Sequence, residues 1–182
     1  MSNIDMICKM QKGKILENNI SKYIRKKGIW ILFGKGNGGY ECLNVAKCVD
    51  VAYELLYDIS CMQNLDYREG TKNYINEFGE ISGLKYEEGI VQEYLYPYIQ
   101  QQKYEELLFL NLSDKNDEKK EELLAWLTHA KYWRGLHRPF EKEKQNYYLE
   151  NKTSKIGNRK ACSLWNSECE IITFLQETNW EI

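Results

Sequence analysis

The sequence has little proline and no excess of either charge. It contains two prolines, and its 25 lysines and arginines nearly balance its 27 aspartates and glutamates, which leaves a formal net charge of −2. A chain with this balance has no general attraction for nucleic acid or for an anionic membrane, so any basic binding surface has to be local. The scarcity of proline, together with an aromatic content of 13%, indicates an ordered chain without long linkers.

Long apolar segments and metal-binding cysteine patterns are also missing. No window approaches the ~20 consecutive apolar residues of a membrane-spanning helix, and the N-terminus lacks the apolar stretch of a signal peptide. The six cysteines form no C-x-x-C pair, and none stands at a zinc-binding spacing from the two histidines. We therefore expect reduced thiols, a cytoplasmic location and no membrane partner. The abundance of Asn, Lys, Ile and Tyr is typical of AT-rich bacterial or phage genomes.

The clearest pattern that is present lies in residues 28–46. An apolar run, GIWILF, is followed by the glycine-rich segment GKGNGG and then by the β-compatible segment YECLNVA. This succession predicts two antiparallel strands joined by a tight turn. Because both strands are apolar, we expect the hairpin at or near the centre of a small sheet.

Helical spacing of apolar residues predicts two helices beside this hairpin. The first covers residues 12–26 and ends in a basic cluster, which is the usual complement of a helix dipole. The second covers residues 49–60. Its predicted buried face contains Val49, Ala52, Leu56 and Ile59, and Val51, Leu55 and Tyr57 widen it.

Three further elements are predicted in the second half of the chain. Residues 106–112 form a short apolar run that predicts a third strand, buried on both faces. Asp117 is a suitable cap for a long helix that ends before Pro139. The run CEIITFL, residues 169–175, predicts a last strand at the sheet edge.

The chain is expected to form a single domain, residues 1–182, of the α+β class. Its core would cover residues 28–140, with an irregular insertion at 63–104 that includes a helix over 85–104, and with a C-terminal extension at 141–182.

The order of these elements and the letters of the hairpin resemble the GIY-YIG nuclease superfamily. Gly28-Ile29-Trp30 stands where GIY is expected, and Cys42-Leu43-Asn44 stands where YIG is expected. The resemblance implies a small three-stranded sheet in the order β-β-α-insertion-β-α, to which this chain would add an N-terminal helix and a C-terminal β-like segment.

The resemblance also implies a phosphodiester-cleaving site, and several of its parts are substituted here. In the family, motif tyrosines position and deprotonate the attacking water, an arginine neutralises the phosphate, and a glutamate holds a divalent ion. Trp30 replaces the first tyrosine and offers no proton acceptor. Cys42 replaces the second, and residues 49–62 contain no arginine.

If the site is active, other residues have to substitute. Tyr40, Lys47 and His129 are the catalytic candidates, and Glu122, or its neighbour Glu121, is the candidate ligand of Mg²⁺ or Mn²⁺. Each has a structural alternative: a sheet-face aromatic for Tyr40, an exposed strand end for Lys47, a half-buried helix residue for His129, and a solvated charge run for the two glutamates.

A basic group near Pro139 is the candidate nucleic-acid contact. Arg134 and Arg138 would lie four residues apart on one face of the predicted long helix, with His137 beside them, so their repulsion calls for an anionic partner. Cations at a helix C-terminus are the structural alternative.

Three hypotheses about function follow. The first is a catalytically degenerate GIY-YIG-like module that binds nucleic acid or a protein that handles it. The second is an active divalent-metal endonuclease. The third is a protein-interaction module of phage or host-defence type, for which the many aromatic residues would supply interface anchors.

Overall fold

The computed structural model describes residues 3–63, 95, 99, 102–113, 118–133 and 162–177. Within these ranges the chain is a mixed α+β protein, whose six-stranded, mostly antiparallel sheet carries helices on both faces. The strands are β1 (Asn3–Gln11), β2 (Lys14–Asn18), β3 (Gly28–Gly36), β4 (Gly39–Cys48), β5 (Glu106–Ser113) and β6 (Tyr132–Trp133). The helices are a 3₁₀ helix (Ile20–Tyr23), α1 (Val51–Gln63), α2 (Glu118–Leu127) and α3 (Glu168–Glu177).

The strands follow the order β2-β1-β5-β3-β4-β6, and all neighbours are antiparallel except β4 and β6. The predicted hairpin over residues 28–46 is confirmed, since β3 pairs with β4 and Gly36 lies opposite Gly39. The predicted third strand is confirmed as β5, which lies between β1 and β3 and is buried on both faces. The described part of the sheet also contains three strands that were not predicted: β1, β2 and β6.

Each face of the sheet has its own apolar cluster. On the α1 face, Trp30, Leu32 and Phe109 pack with the buried side of α1. On the opposite face, which we call the α2 face, Ile31 and Phe33 pack with apolar side chains of α2 and α3. Alternation along β3 produces this division, because successive side chains of a strand point to opposite sides.

The prediction of a helix over residues 12–26 is wrong. Lys12 and Gly13 have φ angles of 49° and 75°, and they form the two-residue turn of a hairpin between β1 and β2. Ile15 and Leu16, which suggested a helical face, are 40% and 54% exposed on β2. Pairing of β1 with β5 stabilises this arrangement and overrides the helical spacing.

The prediction of a strand over residues 169–175 is also wrong, because this segment is helix α3. The Ser167 hydroxyl accepts a hydrogen bond from the backbone N–H of Glu170 at 3.2 Å, and the Glu170 carboxylate accepts one from the N–H of Asn166 at 2.8 Å. This is a variant of the S-x-x-E capping pattern. Ile171 and Leu175, one turn apart, are completely buried against the sheet.

The long helix predicted to run to Pro139 ends at Leu127. The N–H of Ala130 bonds to the carbonyl of Ala125 at 3.0 Å, and the N–H of His129 bonds to that of Trp126 at 3.3 Å. This pair of bonds is a Schellman motif, with His129 in the left-handed conformation at φ 52°. The chain then turns into β6, which pairs with β4.

Helix α1 is confirmed, but its predicted buried face is wrong in part. Val51, Ala52, Leu55 and Ile59 are buried as predicted, whereas Val49 and Leu56 are 68% and 46% exposed. Asp50 caps the helix by accepting a hydrogen bond from the N–H of Tyr53 at 3.1 Å. Because α1 starts after this cap, Val49 precedes the helix and its side chain does not reach the core.

Most of the predicted insertion at 63–104, including the helix over 85–104, lies outside the described residues. The same holds for residues 134–161, which include the start of the C-terminal extension. Among the described residues, no helix is long and apolar enough to cross a membrane.

Candidate functional site

The two positions that correspond to the motif tyrosines lie on opposite faces of the sheet. Trp30 belongs to the α1-face cluster, and Cys42 belongs to the α2-face cluster. The cause is a β-bulge: Leu32 lies opposite Asn44, but Phe33 lies opposite Cys42, so Leu43 is an extra residue of β4. One extra residue turns the following side chains to the other face. Trp30 and Cys42 therefore cannot act together on one phosphate.

An acidic side chain lies beside Trp30. The Trp30 indole N–H donates a hydrogen bond to the Glu54 carboxylate of α1 at 2.9 Å. Burial raises the pKa of the neighbouring Cys48 thiol, and the carboxylates Glu54, Asp50 and Asp58 raise it further. This is the helix on which the resemblance implies an arginine. Negative charge here opposes the approach of a phosphate.

Tyr40 is held as a hydrogen-bond donor. Its side chain is 4% exposed, and its hydroxyl donates to the carboxylate of Glu106, which also accepts a bond from the Gln11 amide at 3.1 Å. Burial, followed by the contact with Glu106, raises the pKa of Tyr40 well above its ordinary value. A tyrosine with this pKa stays protonated near neutral pH, so it does not serve as the base.

These groups belong to a row of paired residues that crosses four strands. Each residue pairs with the next one across neighbouring strands: Gln11 of β1 with Glu106 of β5, Glu106 with Lys35 of β3, and Lys35 with Tyr40 of β4. The Lys35 ammonium lies 5.7 Å from the centroid of the Tyr40 ring, within the range of a cation–π contact. We call this end of the sheet, which carries the glycine turn of β3 and β4, the turn end.

Lys47 lies at the other end of β4 and is half-buried. Lys47 is the seventh residue after Tyr40, and at about 3.3 Å per residue the two lie roughly 23 Å apart. The structure therefore does not bring Tyr40 and Lys47 together. We call this end of the sheet, where β3 begins and β4 ends, the open end.

The two candidate glutamates differ in their surroundings. Glu121 is 3% exposed and accepts a hydrogen bond from the backbone N–H of Lys47 at 3.3 Å, so its assignment to a solvated charge run is wrong. Glu122 is half-buried and accepts a bond from the indole of Trp126, four residues later on α2, at 3.4 Å. Within the described residues, no group of three or more His, Cys, Asp and Glu side chains is arranged to hold a metal ion.

His129 has a structural position at the end of α2. Burial lowers the pKa of its imidazole, and the neighbouring Lys131 lowers it further, so the ring is neutral at pH 7. Arg134, His137 and Arg138 lie outside the described residues. Helix α2, on which the two arginines were expected to share a face, ends at Leu127.

Two segments from later in the chain pair with the outer edge of β4, and the sequence analysis predicted neither pairing. Trp165 forms a β-bridge with Tyr40, through hydrogen bonds of 2.7 and 3.0 Å. The N–H of Lys131 bonds to the carbonyl of Cys42 at 3.1 Å, and β6 pairs with the next residues of β4. This edge is therefore unavailable for pairing with another chain.

Sequence reasoning missed Glu54, Glu106 and Trp165. Each acts on a residue far away in the chain, at separations of 24, 66 and 125 residues, and no short motif records such contacts. Glu54 alone had a local signal, since it lies on the helix that the resemblance made important.

Comparisons with protein-family models, with curated proteins and with solved structures found no match to this chain.

Proposed function

We propose that the chain is a catalytically degenerate GIY-YIG-like module that acts by binding nucleic acid or a protein that handles nucleic acid. The observation that carries this proposal is the placement of Trp30 and Cys42 on opposite faces of the sheet. Hydrolysis of a phosphodiester requires a proton acceptor, a cation and an oxygen ligand that converge on one phosphate. With the two motif positions on opposite faces, the motif cannot assemble such a site.

The substitute residues support the same conclusion. The Tyr40 hydroxyl donates a hydrogen bond to Glu106, and Lys47 lies roughly 23 Å away along β4. Glu54 places negative charge beside Trp30. Loss of one charge-stabilising group typically lowers a rate ~10² to 10³-fold. Glu121 lies beside Lys47, but both are far from Tyr40, so the expected rate is close to background even though such effects do not multiply simply.

The proposal is tested by incubating the purified protein with supercoiled plasmid and with single-stranded RNA, in Mg²⁺ or Mn²⁺ and then with chelator. We expect no metal-dependent cleavage above that of a buffer control. Metal-dependent cleavage that Lys47→Ala abolishes would contradict the proposal and would support the endonuclease hypothesis instead.

A protein partner is the second candidate, and the outer surface of α1 favours it. Tyr53 and Leu56 are 50% and 46% exposed, and Val49 just before the helix is 68% exposed. Tyr53 and Leu56 are three residues apart on the helix, so they form a short apolar row, and Val49 precedes that row. Exposed aromatic and aliphatic rows of this kind are common in protein interfaces. A pull-down with Leu56→Asp as the negative control tests this candidate.

A further inference from the structure

The segment that joins the 3₁₀ helix to β3 carries a concentrated positive charge. Four cations lie within six residues, although the whole chain has a net charge of −2. All four are exposed: Lys22, Arg25, Lys26 and Lys27. We call this segment, residues 22–27, the basic loop. It lies at the open end of the sheet, immediately before the first residue of β3.

The structure removes the ordinary explanation for these charges. Cations commonly neutralise the dipole at the end of a helix, but the helix predicted over residues 12–26 does not exist. The preceding 3₁₀ helix has four residues and ends at Tyr23, before three of the cations. Among the described residues, the four side chains make no ion pair or side-chain hydrogen bond. Their charge is therefore not neutralised within this part of the protein.

Backbone contacts hold the basic loop in one conformation. Tyr23 is buried, and its hydroxyl donates to Asp5 at 3.1 Å. The N–H of Lys26 bonds to the carbonyl of Tyr23 at 3.1 Å, and the carbonyl of Lys26 accepts from the N–H of Val51 at 3.0 Å. A loop fixed in this way presents its cations with little further loss of backbone entropy on binding.

The last of these bonds places the basic loop against the first turn of α1, which carries the half-exposed ring of Tyr53. Surfaces that bind single-stranded nucleic acid combine cations, which contact phosphates, with exposed aromatic rings, on which bases stack. We infer that the basic loop and Tyr53 form a binding surface for single-stranded nucleic acid. This inference rests on the proposed function, since it assigns the partner and the surface of the binding module.

The shape of the charge distribution favours a nucleic acid over an anionic membrane. Asp50 and Glu54 lie near the basic loop, because Val51, whose N–H bonds to Lys26, directly follows Asp50 and begins the helical turn that contains Glu54. A strand of phosphates is narrow and follows the exposed cations, whereas these carboxylates accept hydrogen bonds from the Trp30 indole and from the N–H of Tyr53. A planar bilayer would face both the cations and the carboxylates, so its attraction would be weaker.

Fluorescence anisotropy with labelled oligo(dT), oligo(U) and a DNA duplex, at several NaCl concentrations, tests the inference in the full-length protein. For four phosphate contacts, log K against log[NaCl] should have a slope of about −2.8 on the single strands. Lys26→Glu with Lys27→Glu should lower affinity at least tenfold and bring the slope to about −1.4 or flatter. The DNA and RNA arms identify which nucleic acid binds more tightly.

Lys12→Glu with Lys14→Glu is the matched control, because it makes the same charge change in exposed residues at the turn end. We expect this control to retain wild-type affinity within about threefold at physiological salt. Tyr53→Ala should weaken binding to single strands on the order of tenfold, and Tyr53→Phe should restore it. Circular dichroism of each variant shows whether it is folded. Lys26→Gln with Lys27→Gln removes the two charges without reversing them, so a loss of binding in this folded variant is a loss of charge and not of structure.

Equal losses in the two lysine pairs would overturn the inference, because they would show attraction by overall charge alone. Binding to duplex that equals binding to single strands, with no effect of Tyr53→Ala, would overturn the single-strand assignment. Binding to phosphatidylserine vesicles in place of oligonucleotides would overturn it in favour of a membrane. Cleavage in the metal assay would contradict the proposed function while leaving this surface intact, so the two failures are distinguishable.

Discussion

The two ends of the central hairpin use charge in different ways. At the turn end, three charged groups have partners inside the fold: Glu106 accepts bonds from Tyr40 and Gln11, and Lys131 forms an ion pair with Glu41 at 3.3 Å. At the open end, the cations of the basic loop are exposed and make no ion pair or side-chain hydrogen bond among the described residues. Charge that is satisfied internally stabilises the fold, whereas charge left on the surface is available to a partner.

This comparison predicts that substitutions at the turn end lower stability and that substitutions at the open end change binding. Four stability predictions follow from the largest expected effect to the smallest.

Gly39→Ala should have the largest effect. Gly39 has a φ of 124°, and a Cβ there would overlap the carbonyl oxygen of Trp165, so the substitution strains the backbone and disrupts the bridge to Tyr40. We expect the free energy of unfolding to fall by about 3 kcal/mol or more, measured by urea denaturation. Gly13→Ala is the control: its φ is 75° with no atom within 4 Å of the added Cβ, so it should cost only about 1 kcal/mol. Equal costs would show that the contact with Trp165 does not matter.

Glu106→Ala should lower the free energy of unfolding by about 2–3 kcal/mol, because it leaves the Tyr40 hydroxyl and the Gln11 amide without their acceptor. Glu17→Ala, which removes an exposed carboxylate from β2, should change it by less than about 0.5 kcal/mol. Urea denaturation at pH 7 measures both. If the two variants are equally stable, the buried row does not stabilise the turn end.

Alkaline pH should weaken the turn end through Tyr40. The pKa of Tyr40 is raised in the folded protein, so the folded state binds this proton more tightly than the unfolded state does. The corresponding stability is fully present below about pH 10 and is lost as pH rises through the folded pKa, by at most about 1.4 kcal/mol per pH unit. Between pH 9 and pH 11, the wild-type protein should therefore lose more stability than Tyr40→Phe. Parallel losses would mean that burial and Glu106 do not raise the pKa of Tyr40 in the folded protein.

Lys26→Glu with Lys27→Glu should have the smallest effect on stability, within about 0.5 kcal/mol for each residue, because both side chains are exposed. The same denaturation experiment measures this. A loss as large as that of Glu106→Ala would show that the basic loop stabilises the fold, and the distinction between the two ends would then fail.

The sequence was sufficient for elements whose signals are local and strong. The glycine-rich turn between two apolar runs predicted β3 and β4, and the apolar run at 106–112 predicted β5. The β1–β2 hairpin was missed because Lys12 adopts a positive φ at a turn without the usual Asn-Gly signal. Helix α3 was missed although its signal was present, since Ser167 and Glu170 have the S-x-x-E spacing.

The candidate site was less predictable than the fold. The bulge at Leu43 arises from the pairing of β3 with β4, and nothing in the letters of the motif indicates it. Sequence reasoning gave Tyr40 and Lys47 as possible partners, but only the extended length of β4 shows that they are far apart. The roles proposed for Arg134, His137 and Arg138 remain predictions.

The proposed loss of catalysis depends on Trp30 and Cys42 lying on opposite faces of the sheet. Nuclear Overhauser effects in the isotope-labelled protein test this placement directly. We expect contacts from the Trp30 indole proton to Glu54 of α1, and from the Cys42 β-protons to Thr128 at the end of α2. Contacts from Cys42 to side chains of α1 would place both residues on one face. That result would contradict the placement on opposite faces and would make an assembled catalytic site possible again.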